Sequence, residues 1–185
     1  MKSLVISDIH DNLHNLETAL KIAGTSSCDS VICCGDLCSP FIIEEIHQKT
    51  RLPVHIVFGN NDGDRFTMLN KVNHANLTRK PDSQIFLHGE FLIKDRGQVL
   101  AGVPTGISIA VYHYPNLAVV LSKSGLFDFV FYGHSHKPGL ETVNSCTLAN
   151  PGSVMGYIPE NGGTFTNPTC LIVNYSSKEI ELIEF

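Results

Sequence analysis

The sequence predicts a layered α/β domain in which two sheets stack as a sandwich. Three observations carry this reading. Short apolar runs rich in β-branched or aromatic residues end in turn residues, as buried parallel strands do. Between the first of these runs, apolar residues recur at helical spacing. After Gly133 the texture changes to strand runs separated by turn signals, which reads as antiparallel hairpins. The first strand is "LVIS" (4–7). A helix follows, with Leu13, Leu16, Leu20 and Ala23 on one face behind the possible caps Asp11 and Asn12. The next strand, "VICC" (31–34), leads to the helical segment "FIIEEIHQK" (41–49), and "VHIVF" (54–58) is the third strand of a βαβαβα series. A further strand lies near Ile107 to Tyr112, then a helix "PNLAVVLSKSG" (115–125) with Pro115 near its start. "FVFY" (129–132) is the next strand, and "GLETVNSCTLANPGS" (139–153) and "TCLIVNYSSKEIELIEF" (169–185) form a β-rich tail.

With 185 residues, 43% of them hydrophobic, the chain can bury about 70% of its unfolded surface, so one domain over residues 1–185 is expected. The formal charge of -5 and the absence of any Lys/Arg run exclude a broad footprint for duplex DNA or an anionic membrane. The opening "MKSLVISDIH" is too short in apolar length for a signal peptide or a membrane span, and a cytoplasmic protein is expected. Six cysteines form no CxxC pair. They read as reduced thiols with packing roles, Cys33 and Cys34 on alternate faces of a buried strand, and Cys38 likewise packed.

The chemistry gathers where α/β sheets place it, beyond the carboxyl ends of the strands. Asp8 and His10 ("SDIHDN") follow the first strand, Asp36 ("CCGDLC") the second, and Asn60 ("FGNND") the third. His113 ("VYHYP") and the pair His134 and His136 ("YGHSHK") follow later ones. In extended backbone, residues two apart leave the chain on the same side, which would align Asp8 with His10 and His134 with His136. Glycine directly precedes Asp36, Asn60 and His134, where it permits close approach. Any single Asp-x-His is weak evidence, since such residues also cap and turn chains. The ordered set, with more N/O donors than one ion takes, suits two ions sharing a carboxylate. His14, His47, His55, His74 and His88 are read as surface residues or as residues behind the ligands.

The motifs "DIH", "GDL", "GNND", "GHSH" and "NPGS" (150–153) together resemble the calcineurin-like metallophosphoesterases, and within them the small bacterial and archaeal phosphodiesterases of the YfcE type. The resemblance implies a metallophosphoesterase-type α/β/β/α sandwich of two mixed sheets flanked by helices. It implies that Asp8, His10, Asp36 and His136 hold one metal, and that Asp36 bridges to a second held by Asn60, His113 and His134. Asp36, Asn60, Asp62 and His134 are the residues it marks as catalytic. Four imidazoles, one amide and two carboxylates favour two divalent transition-metal ions, Mn²⁺ first and Ni²⁺, Fe²⁺ or Zn²⁺ next, over Mg²⁺ or Ca²⁺. The activity implied is hydrolysis of a small phosphate ester by a metal-bound hydroxide, as a dinuclear phosphodiesterase. A phosphomonoesterase and a non-catalytic scaffold like the retromer subunit of this fold are the alternatives, and the intact ligand set speaks against the scaffold. The expected partner is that substrate, with no broad nucleic-acid surface and no membrane, and self-association into a homo-oligomer is left open. Two departures stand out. "HYP" replaces the family's His-Gly-His, so Tyr114 takes a small residue's place. Asn61 stands where related phosphatases have a general-acid histidine, with Asp62 in place of the acid that orients it, and an amide has no titrating proton to give.

Overall fold

The computed structural model describes residues 1–185, and apolar residues that alternate along its strands sort into three layers of core. The first strands, β1 (Lys2–Ile6), β2 (Ser30–Cys33), β3 (Val54–Ile56) and β4 (Ile85–Leu87), are joined by the helices α1 (Leu13–Thr25), α2 (Phe41–Lys49) and α3 (Arg65–Asn76). Then come β5 (Phe91–Lys94), β6 (Ile109–Tyr112), α4 (Pro115–Lys123) and β7 (Phe129–Phe131). The tail contributes β8 (Pro138–Val143), β9 (Cys146–Pro151), a small hairpin of β10 (Tyr157–Ile158) and β11 (Thr164–Phe165), and finally β12 (Thr169–Asn174) and β13 (Glu179–Glu184).

One sheet has the order β13-β12-β1-β2-β3-β4 and the other β5-β6-β7-β9-β8. β1 to β4 run parallel, whereas β12 and β13 join antiparallel, and β6, β7 and β9 run parallel between antiparallel edges. Both sheets are therefore mixed, as the expected sandwich requires. Leu4, Ile6, Val31 and Cys33 pack under α1, α2 and α3, while Val5, Ile32 and Cys34 face Phe129 and Phe131 of the other sheet. Cys33 and Cys34 thus lie in different cores, because successive strand residues point to opposite faces. On the far side, Ala110 and Val130 pack with Ala118 of α4.

Local signals explain most boundaries. Asn12, not Asp11, caps α1 by accepting the Asn15 amide at 3.1 Å. Asp11 instead accepts from the Ser39 amide and hydroxyl, tying the loop after β1 to the loop after β2. Asp64 caps α3 through the Thr67 amide at 3.0 Å. β4 and β5 are too short to show a strand periodicity in the sequence. Together they form one apolar stretch broken at Gly89, which sits at φ 72° and lets the chain leave the first sheet for the second. Phe131 is fully buried between the sheets, its ring 6.0 Å from that of Phe129. Phe131→Ala should cost about 3–5 kcal/mol. Urea unfolding should show this as a lower midpoint at unchanged slope.

Candidate metal centre

Five of the seven ligand candidates do not sit on extended backbone. β1 ends at Ile6, β2 at Cys33 and β7 at Phe131, and the chain beyond each turns left-handed: φ is 54° at Asp8, 44° at His10, 56° at Asp36, 68° at His134 and 58° at His136. The same-side alignment expected from two-residue spacing therefore fails, because the strand ladder has already ended. The Asp8 amide donates instead to the Gly35 carbonyl at 3.0 Å, and the Ile9 amide to the Asp36 carbonyl at 2.9 Å, so one loop is hydrogen-bonded to the next. Each non-glycine residue held there costs roughly 1–3 kcal/mol and persists only where its surroundings fix it.

What alignment does not achieve, the loops achieve together. His136 Nε2 lies 3.3 Å and His10 Nε2 3.8 Å from Asp8 Oδ1, and the two ring nitrogens are 3.1 Å apart. Asn60 Oδ1 lies 3.1 Å from His113 Nε2 and 2.9 Å from His134 Nδ1. Asp36 Oδ2 stands between the two groups, 3.5 Å from His10 Nε2 and 3.4 Å from His113 Nε2. The structure thus brings all seven side chains to one place, Asp8 and His113 fully buried and His134 exposed at the mouth of a cleft of about 290 Å³.

The donor set fits metal ions. Asp8 Oδ1 is buried and has no hydrogen-bond partner, an arrangement that is costly unless a cation completes it. The remote nitrogens of two histidines are already engaged. His113 Nδ1 donates to the Cys34 carbonyl at 2.8 Å and His136 Nδ1 to that of Tyr157, which leaves each Nε2 lone pair facing the centre. Burial would raise the Asp8 carboxyl, but His10, His136 and His113 around it hold it well below the usual carboxylate range. Asp36 is likewise lowered against its burial, by His113 and by Asn61. Burial lowers His113 and His136, yet Asp36 and Asp8 respectively outweigh it and raise both. Burial and the neighbouring His113 lower His134. Two buried anions thus stabilise positive charge at this spot, whether it is carried by protons or by metal.

Several residues act on the centre through others. Asp62, buried, accepts the amides of Asp36, Leu37, Cys38 and Gly59 at 2.7–3.0 Å. Its carboxylate therefore positions the loops after β2 and β3 instead of orienting a proton donor at Asn61. Asn61 itself donates from its backbone and side-chain nitrogens to the two oxygens of Asp36, each at 2.8 Å. Gly59 is required by proximity: a Cβ there would stand 2.2 Å from Asp36 Oδ1. In "NPGS", Asn150 donates to the Gly133 carbonyl at 2.9 Å and Ser153 Oγ to the Asp8 carbonyl at 3.0 Å, fixing both histidine-bearing and aspartate-bearing loops. Cys38 is more than packing. Its Sγ lies 3.3 Å from His10 Nδ1, behind a ligand, with its thiol pushed up to about 12 by burial and by Asp36. His55 belongs to neither class expected of it: it is buried in β3, bonded to the Ala101 carbonyl and to His88.

Comparison with known proteins places this geometry. Residues 1–178 match the model of the calcineurin-like phosphoesterase superfamily domain. A phosphodiesterase of Methanocaldococcus jannaschii is 30% identical over 161 residues, 85% of this chain and 87% of that one. Among solved structures, a novel archaeal phosphodiesterase superposes with a TM-score of 0.81 at 27% identity, covering 100% of both chains. The Escherichia coli phosphoesterase YfcE shares the fold, with a TM-score of 0.61 at 17% identity over 100% of this chain and 99% of its own.

Asp62→Asn would turn an amide group toward two of the four backbone N–H donors and leave them unpaired. The expected cost is on the order of 3 kcal/mol. Urea unfolding and a metal titration should show stability and affinity falling together, because the same loops carry Asp36. Cys38→Ala, by contrast, should lower metal affinity about tenfold with little loss of stability.

Proposed function

Because this chain belongs to the calcineurin-like phosphoesterase family, we propose that it is a phosphodiesterase built on a centre for two divalent transition-metal ions. One ion would be held by Asp8, His10, Asp36 and His136, the other by Asp36, Asn60, His113 and His134. The observation that carries this reading is Asp36 Oδ2, within 3.5 Å of His10 Nε2 on one side and 3.4 Å of His113 Nε2 on the other. A donor set of four imidazoles, one amide and two carboxylates favours Mn²⁺, with Ni²⁺, Fe²⁺ or Zn²⁺ next. When bound, such ions supply an acidified water and positive charge for the phosphoryl oxygens.

The chain's own residues set what can be cleaved. The outer wall of the cleft is Met155, Tyr157 and Pro159, with no Lys or Arg in the lining. A diester monoanion with a second organic group suits that wall better than a monoester dianion, which gains from extra cations. Asn61 faces Asp36 and has no titrating proton to pass to a leaving group, so it does not replace the missing histidine acid at this position. We place the enzyme in the cytoplasm as one domain over residues 1–185. Its cysteines are unpaired, as in a reducing compartment, and no helix is long and apolar enough to cross a membrane.

Chelation should abolish turnover and Mn²⁺ should restore it. Asp36→Asn, which touches both ions, should lower kcat/KM by roughly 10³-fold or more, and His113→Ala by less. Metal analysis should count two ions per wild-type chain. Full turnover from stripped, metal-free protein would sink the proposal. Without a general acid, a loss of about 10² to 10⁴ in rate falls on poor leaving groups. A graded series of diesters should therefore show rate depending steeply on leaving-group pKa, aryl esters far ahead of alkyl ones. A flat profile would mean that another group supplies the proton.

A further inference from the structure

Next to the metal centre, the edge of the second sheet carries rings that no step above uses. Phe91 on β5 pairs across strands with Tyr112 on β6, and their rings lie parallel within 4° at a centroid distance of 4.6 Å. Tyr112 meets Tyr114 at 5.4 Å, and Tyr114 meets His134 at 5.0 Å. The backbone at Tyr114 is extended, at φ -90° and ψ 143°, and His113 between Tyr112 and Tyr114 is fully buried, its ring edge-on to that of Tyr114 at 5.1 Å. A strip of touching aromatic rings thus runs from Phe91, 44% exposed, to the mouth of the cleft at His134. Tyr112 and Tyr114 are only half-buried. Core packing does not account for them.

We propose that this strip is the subsite for one ester group of the diester, and that the group it takes is the planar base of a nucleoside. The proposal rests on the phosphodiesterase reading above. Partly exposed aromatic rings offer offset stacking to a base, without hydrogen-bond readout. A ribose separates base from phosphate, and Tyr114 lies one ring away from His134. The ligand is short. A chain of net charge -5 without basic runs offers no track for a polynucleotide backbone. A simple alkyl ester has nothing to place on the strip.

The test uses the full chain loaded with Mn²⁺ and compares thymidine monophosphate with methyl phosphate by calorimetric titration. The nucleotide should bind about tenfold tighter. Tyr114→Leu should bring that ratio close to one, and Tyr114→Phe, which keeps the ring, should preserve it. Thermal melts check that each variant is folded, and if Tyr114→Leu is not, Tyr112→Leu replaces it in the same comparison. Equal affinities in wild type, or an unchanged ratio in a folded leucine variant, would overturn the subsite. Hydrolysis of bis(p-nitrophenyl) phosphate, measured on the same preparation, tests the underlying reading separately. Absence of turnover there overturns the phosphodiesterase assignment, and the substrate subsite with it, whatever the titration shows.

Discussion

The Asp62 carboxylate is the contact on which the centre depends. It is buried and receives four backbone amides, three from Asp36 to Cys38 and one from Gly59. Those amides belong to loops leaving two neighbouring strands, neither of which continues its ladder there. A loop without ladder partners must find other acceptors for its donors, and one carboxylate serves all four. With that junction fixed, Asp36 stands where it can face ligands from both sheets. Gly59 completes the fit, since any side chain at that position would occupy the space of the Asp36 carboxylate.

The same junction explains why left-handed residues cluster here. Five of the ligand candidates have positive φ, a conformation that L-residues avoid. In an extended chain their side chains would alternate or run parallel along a strand, and donors from separate strands would stay a strand spacing apart. Turning each loop left-handed at its ligand aims the side chains inward toward a common point. The cost is carried by bonds between loops: Asp8 to Gly35, Ile9 to Asp36, Asn150 to Gly133 and Ser153 to Asp8. Electrostatics then acts on groups that cannot move apart. Asp8 and Asp36 stay ionised in burial because imidazoles crowd them, and Asp8 Oδ1 remains without a hydrogen bond. That is a site prepared for cations before any cation arrives.

Much of this was legible in the sequence, and the part that was not has a physical pattern. Strand alternation put Cys33 and Cys34 in different cores, and strand-end reasoning found the donors, because both depend on short-range periodicity that the sequence displays directly. The left-handed backbone at Asp8 and His10 is not written in their spacing, since spacing alone cannot say where a strand stops. β4 and β5 escaped notice because each is short and their break at Gly89 divides two sheets, a fact set by tertiary packing. Asp62 looked like a partner for a proton donor. Its true partners are backbone amides, which a sequence does not mark. His55, polar and alone in an apolar strand, gave no sign that the Ala101 carbonyl and His88 would satisfy it in the interior.

The paired asparagines show how one residue type can be divided between two tasks. An amide has an acceptor end and a donor end, and the contacts here use them separately. Asn60 turns its oxygen to His113 and His134, where it can join their nitrogens around a cation. Asn61 turns its nitrogen to Asp36 Oδ2 while its backbone amide takes Oδ1. An aspartate at position 60 would add a third negative charge to a buried pair, and one at position 61 would set a carboxylate against the carboxylate it now holds. Two neutral amides therefore let the centre keep only Asp8 and Asp36 as anions. Against the two divalent ions proposed above, that would leave a net charge of roughly +2, enough to draw in a phosphate ester. The same choice leaves no titrating proton at position 61, so in the proposed reaction electrostatic attraction and leaving-group selectivity would both arise from one pair of side chains.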